Sequence, residues 1–432
     1  MGETIKKVAL VQPQGLEYPN REQLKLRFLE QKKIRRNGVH SLHKFYGKLI
    51  PAIPAWAIEC FSQPGDLVLD PFCGSGTTLV EALLAGRKAV GVDIDPLSIL
   101  ISRAKTTPIS PTIFESVLSE LLSGILSDKN NGTNYKVPVF LHVDINYWFT
   151  KDVQNDLAII KENINRIREQ NLKQFFLVTF SSMIRRVSLA DPRLIKPSRN
   201  RYLEREKETF DVVGIFSSAA RSKIAAMSRL VNILKNHPLC GKVSVTVLRG
   251  DARRLPNTIA GVNLIVTNPP YMAAVDYVRT NKLEGWWTGV LTDYETLSIE
   301  TIGSEKVRIS GTSFQPLGIE AIDNLIATIS QKKLHKGLVV NKFFKDMEQV
   351  FMEMARVLEP GGKLVMKISD SHYQRVSVPT TNFFILLAQK AGLDLMMKFI
   401  DKIGNHAMST RSAARDGVVT HDWILVFNKS GM

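Results

Sequence analysis

Residues 66–95 read DLVLDPFCGSGTTLVEALLAGRKAVGVDID. A short apolar run, Leu67 to Leu69, closes on Asp70, and a Gly-x-Gly turn follows at Gly74 and Gly76. A helix-forming stretch, TTLVEALLA, then leads to a second apolar run, KAVGV, that closes on Asp93 and Asp95. The pattern predicts a strand, a tight turn, a helix and a second strand, the repeating unit of a parallel sheet flanked by helices. Glycines at 74 and 76 let the backbone turn sharply and bring its N–H groups close to a ligand at a helix start. Acids about 20 residues beyond such a loop are placed to accept hydrogen bonds from a ribose diol. A nucleoside cofactor follows from that combination. The dinucleotide fingerprint needs a third glycine where Leu79 stands, and a phosphate-binding loop needs a Gly-Lys-Ser/Thr that is absent here.

Two further blocks extend the sheet. VSVTVL after Lys242 passes Gly250-Asp251 and reaches NLIV, which stops at Thr267-Asn268-Pro269-Pro270-Tyr271. Farther on, KDMEQVFMEMARVL reads as a helix, Glu359-Pro360-Gly361-Gly362 as its stop, and KLVMKIS as a strand, with WILVF as a last strand. Between the first two blocks, residues 109–241 read mainly as helix, and residues 290–342 as mixed, polar and weakly periodic. The expected division is a basic N-terminal segment (1–36), a first core part with the cofactor loop (37–108), a mainly helical insertion that is a candidate for contact with a partner (109–241), a second core part with the candidate catalytic loop (242–289), a candidate recognition segment (290–342) and a C-terminal core part (343–432).

The chain has 432 residues and a formal charge of +16, the balance expected of a protein that sits on a polyanion. Its start, MGETIKKVALVQPQ, lacks the apolar stretch of a signal peptide, and no run of eighteen apolar residues appears, so a cytoplasmic protein without membrane contact is expected. Cys60, Cys73 and Cys240 are far apart and have no metal-ligand spacing; neither a disulfide framework nor a metal site is expected.

The segment Asp70-Pro71-Phe72-Cys73-Gly74-Ser75-Gly76-Thr77-Thr78 resembles the cofactor motif of the S-adenosylmethionine-dependent DNA amino-methyltransferases, the N6-adenine and N4-cytosine DNA methylases. The resemblance implies a Rossmann-like class I methyltransferase core, α/β with a mainly parallel sheet, here carrying a helical insertion and a loop-rich recognition segment. It implies S-adenosylmethionine as cofactor, held by Asp70, Pro71, Phe72, Gly74, Gly76, Thr77, Asp93 and Asp95, with Asp251 on the adenine amine. His43 to Pro54 (HKFYGKLIPAIP) resembles the family's N-terminal motif over the methionine moiety, which adds Tyr46. It also implies that Asn268, Pro269, Pro270 and Tyr271 form the catalytic loop.

The chemistry suits those residues. An exocyclic amine is a poor nucleophile because its lone pair is delocalised into the ring. Accepting its hydrogens on the Asn268 side-chain oxygen and the Pro269 carbonyl localises that pair, and the prolines fix the turn while offering no competing N–H. Tyr271 is expected to stack on the base, which must be flipped out of the duplex. His40 and His43 adjoin the N-terminal motif, but this reaction needs no imidazole.

The expected function is therefore a site-specific methyltransferase on double-stranded DNA, with a restriction enzyme as a candidate partner. Asn268 favours adenine-N6; the stretch Val275-Asp276-Tyr277-Val278-Arg279 with Lys282-Leu283 resembles cytosine-N4 relatives and keeps that alternative open. An RNA base N-methyltransferase and a non-enzymatic nucleic-acid-binding protein are the further alternatives. Cofactor motif before catalytic motif resembles the alpha or gamma order of the family, whereas the wording of the glycine motif resembles the beta class. The basic cluster Arg193, Lys196, Arg199, Arg201, Arg205 and Lys207 reads equally as a phosphate track or a solvated face.

Overall fold

The computed structural model describes residues 38–139, 143–236, 238, 242–272, 276–307, 314–402 and 421–430. The expected N-terminal basic segment, Cys240 and Val275 lie outside them. The strands are β1 (Leu67–Asp70), β2 (Lys88–Asp93), β3 (Val245–Arg249), β4 (Val262–Thr267), β5 (Leu358–Ile368), the hairpin β6 (Ser371–Tyr373) and β7 (Val376–Val378), β8 (Leu393–Lys402) and β9 (His421–Lys429). Seven of them form one sheet in the order β3-β2-β1-β4-β5-β9-β8. All neighbours from β3 to β5 are parallel, and β9 runs antiparallel between β5 and β8. This is the doubly wound, mainly parallel sheet expected of a Rossmann-like methyltransferase.

Both faces are covered, which is why the strands read as continuous apolar runs. Val68, Leu264, Val266, Val365 and Val426 face one core with helix α1 (Ala52–Phe61). The alternate residues Leu69, Ile265, Leu364, Met366, Leu425 and Phe427 face a second core. Helices α2 (Thr77–Leu84) and α3 (Pro96–Thr106) follow β1 and β2. The residues Glu359 to Gly362 loop out where β5 passes from Leu358 opposite Val262 to Lys363 opposite Leu264. Gly361, at φ +79°, turns the chain there.

Between α3 and β3 stand α4 (Pro111–Asn130), α5 (Ile145–Trp148), α6 (Lys151–Asn165), α7 (Gln170–Val187) and α8 (Val212–Lys235). They enclose a third core, and that core is shared: Leu97, Leu100 and Ile101 of α3 join it, as do Leu283, Trp286 and Trp287. After β4 come α9 (Tyr277–Thr280), α10 (Lys282–Thr288) and α11 (Tyr294–Glu300), then α12 (Glu320–Lys332), α13 (Leu334–Val357) and, after the hairpin, α14 (Thr380–Lys390).

The segment 290–342 is more helical than its weak periodicity suggested. Ile322, Ile326 and Ile329 of α12 are buried at helical spacing, and the long helix before β5 begins at Leu334, nine residues ahead of the expected boundary. Its polar residues masked an apolar stripe that only becomes obvious once a partner helix covers it. Among the described residues no helix is long and apolar enough to cross a membrane.

Candidate active site

The chain reverses direction across the sheet between β1 and β4, and a cleft opens where their carboxyl ends diverge, as doubly wound sheets require. It holds about 900 Å³ of free space. Asp70 ends β1, Asp93 ends β2, Gly250 and Asp251 follow β3, and Asn268 follows β4.

The glycine loop is fixed by its neighbours. Gly76 caps α2 at φ +74°, and a Cβ there would lie 2.8 Å from Ser102 Oγ and 3.1 Å from Ser102 Cα. Gly74 sits at φ +49° under the Phe45 ring, 3.2 Å from where a Cβ would stand. Ser102 Oγ donates to the Gly74 carbonyl (2.8 Å), and the Gly74 N–H donates to Asp93 (2.8 Å). Asp93 also accepts the Asp95 N–H (2.9 Å). Asp95 caps α3, accepting from the Leu97 N–H and Ser98 Oγ, each at 3.0 Å. Thr267 donates its hydroxyl to Asp70 (2.7 Å), tying the end of β4 to the end of β1.

These buried acids are hard to ionise. Burial pushes Asp93 up to about 7, with the Asp95 charge adding to it, and burial pushes Asp70 up to about 6 against the Thr267 hydrogen bond. Each Asp93 oxygen accepts one bond from the protein and keeps a further acceptor direction, whereas Asp70 Oδ1 accepts two, from Thr267 and from the Phe72 N–H (3.1 Å). Asp251 is gripped by Arg253, whose guanidinium also reaches Asp346 (2.9 Å) and the Glu300 carbonyl (2.9 Å). That arginine ties the loop after β3 to α11, whose end, Glu300 to Ile302, closes one side of the cleft.

The N-terminal loop forms the opposite wall. His40 bonds to Glu81 (2.7 Å) and His43 to Ser181 (2.9 Å), so the loop is pinned to both α2 and α7. Burial holds His43 down at about 3, which keeps it neutral and structural. Asn268 Nδ2 donates to the Gly47 carbonyl (2.8 Å) and joins this wall to the Asn-Pro-Pro-Tyr loop.

Of the expected site residues, Tyr46, Asp70, Pro71, Phe72, Gly74, Thr77, Asp93, Asp95, Asp251, Asn268 and Pro270 line the cleft together. Gly76 and Pro269 stand behind the surface they shape. Tyr271 does not line it: its hydroxyl donates to Asn268 Oδ1 (3.3 Å), and its ring packs on the core under β5 and β9. Burial, then the Asp422 charge, hold that hydroxyl protonated. Tyr277 lines the cleft instead, its hydroxyl against Gly47, where an added Cβ would lie 2.9 Å away. Burial pushes Tyr277 up to about 12, with the Asp93 charge second.

Phe45, Lys48, Ser75 and Ser98 also line the cleft, beyond the residues to which the sequence pointed. Lys48 is the only cation among the described lining residues, and it donates to the His40 carbonyl (3.0 Å). Its signal in the sequence was position alone, two residues after Tyr46. Ser75 Oγ and Thr77 Oγ1 are buried without a hydrogen-bond partner, although both residues line the cleft. Unpaired hydroxyls at a glycine loop, a single cation and several acids suit a zwitterionic nucleoside: polar hydroxyls and amines for the acids, a carboxylate for Lys48.

The chain is similar to known DNA methylases over most of its length. The family described as DNA methylase, N6/N4, matches residues 22–102 and 262–432. Over 404 residues the chain is 28% identical to the Type II methyltransferase M.MvaI of Kocuria varians, covering 88% of each chain. Over 380 residues it is 22% identical to the Type II methyltransferase M.BsoBI of Geobacillus stearothermophilus, covering 76% of this chain and 73% of that one. Among solved structures, a SAM-dependent methyltransferase of Methanosarcina mazei aligns over 87% of this chain and 97% of its own, with 9% identity and a TM-score of 0.31.

Proposed function

Because the chain belongs to the N6/N4 DNA methylase family and its methyl donor is S-adenosylmethionine, we propose that the cleft transfers the methyl group to the exocyclic amine of a base flipped out of double-stranded DNA. The observation that carries this reading is Asn268 in the same cleft as the glycine loop and Asp93. When bound, the cofactor supplies an electrophilic methyl on a sulfonium. Asn268 donates its amide N–H to Gly47, and its oxygen, which accepts the Tyr271 hydroxyl along one direction, keeps a second lone pair for a hydrogen of the amine. The second acceptor in this reading is the carbonyl of Pro269, which stands behind the cleft surface between the lining residues Asn268 and Pro270, and Pro270 brings no N–H to compete. With both hydrogens held, the nitrogen lone pair leaves the ring plane's conjugation and becomes nucleophilic. The methylated amine is a strong acid and releases its extra proton to water, so the buried neutral His43 has no part in the step.

Adenine-N6 is the base that Asn268 favours. Cytosine-N4 is the second reading, supported by Tyr277: the stretch that resembles cytosine-N4 relatives supplies part of the cleft wall. Both amines sit on an N–C=N unit and present the same hydrogens, so Asn268 and Pro269 serve either. The helical insertion and residues 290–342 are the surfaces proposed to hold the duplex around the cleft. Mass spectrometry of nucleosides from DNA of cells expressing the protein tests the reading: N6-methyladenine is expected, N4-methylcytosine selects the second reading, and neither product sinks both.

Asp93 gives the site a pH dependence of calculable sign. Its folded pKa lies above the unfolded value of 3.8, so the proton stabilises the fold, and that contribution is lost as pH rises through about 7. Cofactor binding runs the other way, because ribose hydroxyls donate to the ionised carboxylate. Calorimetric titration with S-adenosylhomocysteine is expected to show about tenfold tighter binding at pH 8 than at pH 6, with proton release. In Asp93→Asn the profile flattens; a parent protein with a flat profile contradicts the role given to Asp93.

A further inference from the structure

Helix α9 is a single turn, and its two sides face different spaces. Tyr277 and Val278 line the catalytic cleft, whereas Arg279 lines a long groove between the insertion and helices α10 and α11. Lys282, one turn on, lines the groove as well. Only the thickness of α9 therefore separates the groove from the place where the reacting base must stand.

Three cations meet at this wall: Arg185 of α7, Arg279 and Lys282. Among the described residues no carboxylate lies within ion-pair distance of any of them. Arg185 donates only to carbonyls, of Thr280 (3.2 Å), Leu194 (2.8 Å) and Ile195 (2.9 Å), and its Nε is buried without a partner. Arg279 is exposed. Lys282 is held by aromatic faces, its ammonium 4.6 Å from the Trp148 ring centre and 5.4 Å from that of Trp286. Burial lowers the Lys282 pKa first, and the charges of Arg279 and Arg185 lower it further, against Asp276.

The acids of the groove are engaged elsewhere. Asp293 caps α11 through the Thr296 N–H (2.9 Å), Glu295 pairs with Lys306 (2.9 Å), and Glu162 accepts from Asn165 (3.2 Å). Asp276 is the nearest acid, and it spends its carboxylate on the Arg279 backbone N–H (2.9 Å), capping α9, so it offsets the three charges without pairing with any of the side chains. Like charges gathered with so little compensation cost stability until an anion arrives. A π-face steadies an ammonium yet leaves its N–H groups free to donate.

We propose that Arg279 and Lys282, backed by Arg185, seat the phosphodiester next to the nucleotide delivered to the cleft, and that the groove carries that DNA strand away from the site. A flipped base keeps its phosphates outside the pocket, and the first surface beyond the pocket wall is this one. The arrangement positions the strand and reads no sequence. The proposal rests on the DNA reading of the cleft.

The test uses the full chain with S-adenosylhomocysteine and a duplex of about 30 base pairs that contains the methylated site mapped in cellular DNA, with affinity measured over a range of salt. Arg279→Ala and Lys282→Ala are each expected to weaken duplex binding about tenfold and to reduce the slope of log affinity against log salt by about 0.9, with S-adenosylhomocysteine affinity unchanged. A neutral methylphosphonate at the phosphate beside the target nucleotide is expected to weaken the parent protein but not Arg279→Ala. If loss of the Trp148–Lys282–Trp286 stack unsettles the fold in Lys282→Ala, the exposed Arg279 decides alone. An Arg279→Ala protein with the parent's affinity and salt slope overturns the phosphate seat and leaves the methyltransferase reading standing. A parent protein that neither binds nor methylates DNA overturns both.

Discussion

Alanine at position 268 is expected to reduce methyl transfer to DNA by about 10³-fold while S-adenosylhomocysteine binds with nearly unchanged affinity. In the proposed mechanism the amide oxygen of Asn268 acts on the amine as the lone pair localises, so the interaction is strongest in the transition state and its loss falls on kcat. The cofactor end of the cleft is built separately, from the glycine loop and the acids that end β1, β2 and β3, and none of those contacts passes through Asn268. Asn268→Asp keeps an acceptor but loses the N–H that donates to Gly47, so its activity is expected to lie between the two. A tritium-transfer assay on DNA gives the rate and calorimetry the affinity. Full activity in Asn268→Ala would falsify the mechanism; equal loss of cofactor binding would show that the residue only holds the Gly47 wall in place.

Trp287→Ala is expected to destabilise the protein by about 3–5 kcal/mol, the range for deleting a fully buried large aromatic side chain. Trp287 is wholly buried, with edge-on contacts to Phe149 (5.7 Å between ring centres) and Phe180 (6.3 Å). It belongs to α10, which follows the catalytic loop, while Phe149 and Phe180 belong to the insertion. The cavity would therefore open at the joint between the two, and α3, which carries the Asp95 cap, shares the same core. Urea unfolding is expected to show one transition at a lower midpoint for this variant. Two separate transitions in the parent protein, with only one moved by the substitution, would mean that insertion and sheet unfold as independent units.

Much of the site is legible in the linear chain. The glycine loop, the acids at strand ends and the Asn-Pro-Pro-Tyr turn are local features: strand ends and tight turns follow from residues within a few positions of one another. What those side chains face is less so. Tyr271 and Tyr277 stand six positions apart with the same ring and the same hydroxyl. One turns under the sheet toward Asn268 and Asp422, whereas the other opens α9 behind the Asp276 cap and enters the cleft. Lys48 gains its place only through His40, which Glu81 holds from helix α2.

The basic stretch after Arg185 changes character in the same way. Arg193, Arg199, Arg205 and Lys207 pair with Asp191, Glu206, Glu208 and Glu204, and Arg205 also donates to the carbonyls of Ser188 and Arg186. Those charges largely hold the connection between α7 and α8. Arg279 and Lys282, which have no carboxylate within ion-pair distance among the described residues, stand only three positions apart in the chain, yet only the folded groove shows that both line one surface next to Arg185.

Taken by itself, the sequence determined the class of the fold, the order of its parallel strands' loops, the cofactor type and the place of the Asn-Pro-Pro-Tyr turn at the end of β4, since turn chemistry and apolar runs act over short range. Tertiary structure decided which aromatic lines the cleft, which acids are hard to ionise, and that insertion and core share one interior. Burial, charge proximity and facing direction are set by residues tens to hundreds of positions away, and no local pattern encodes them.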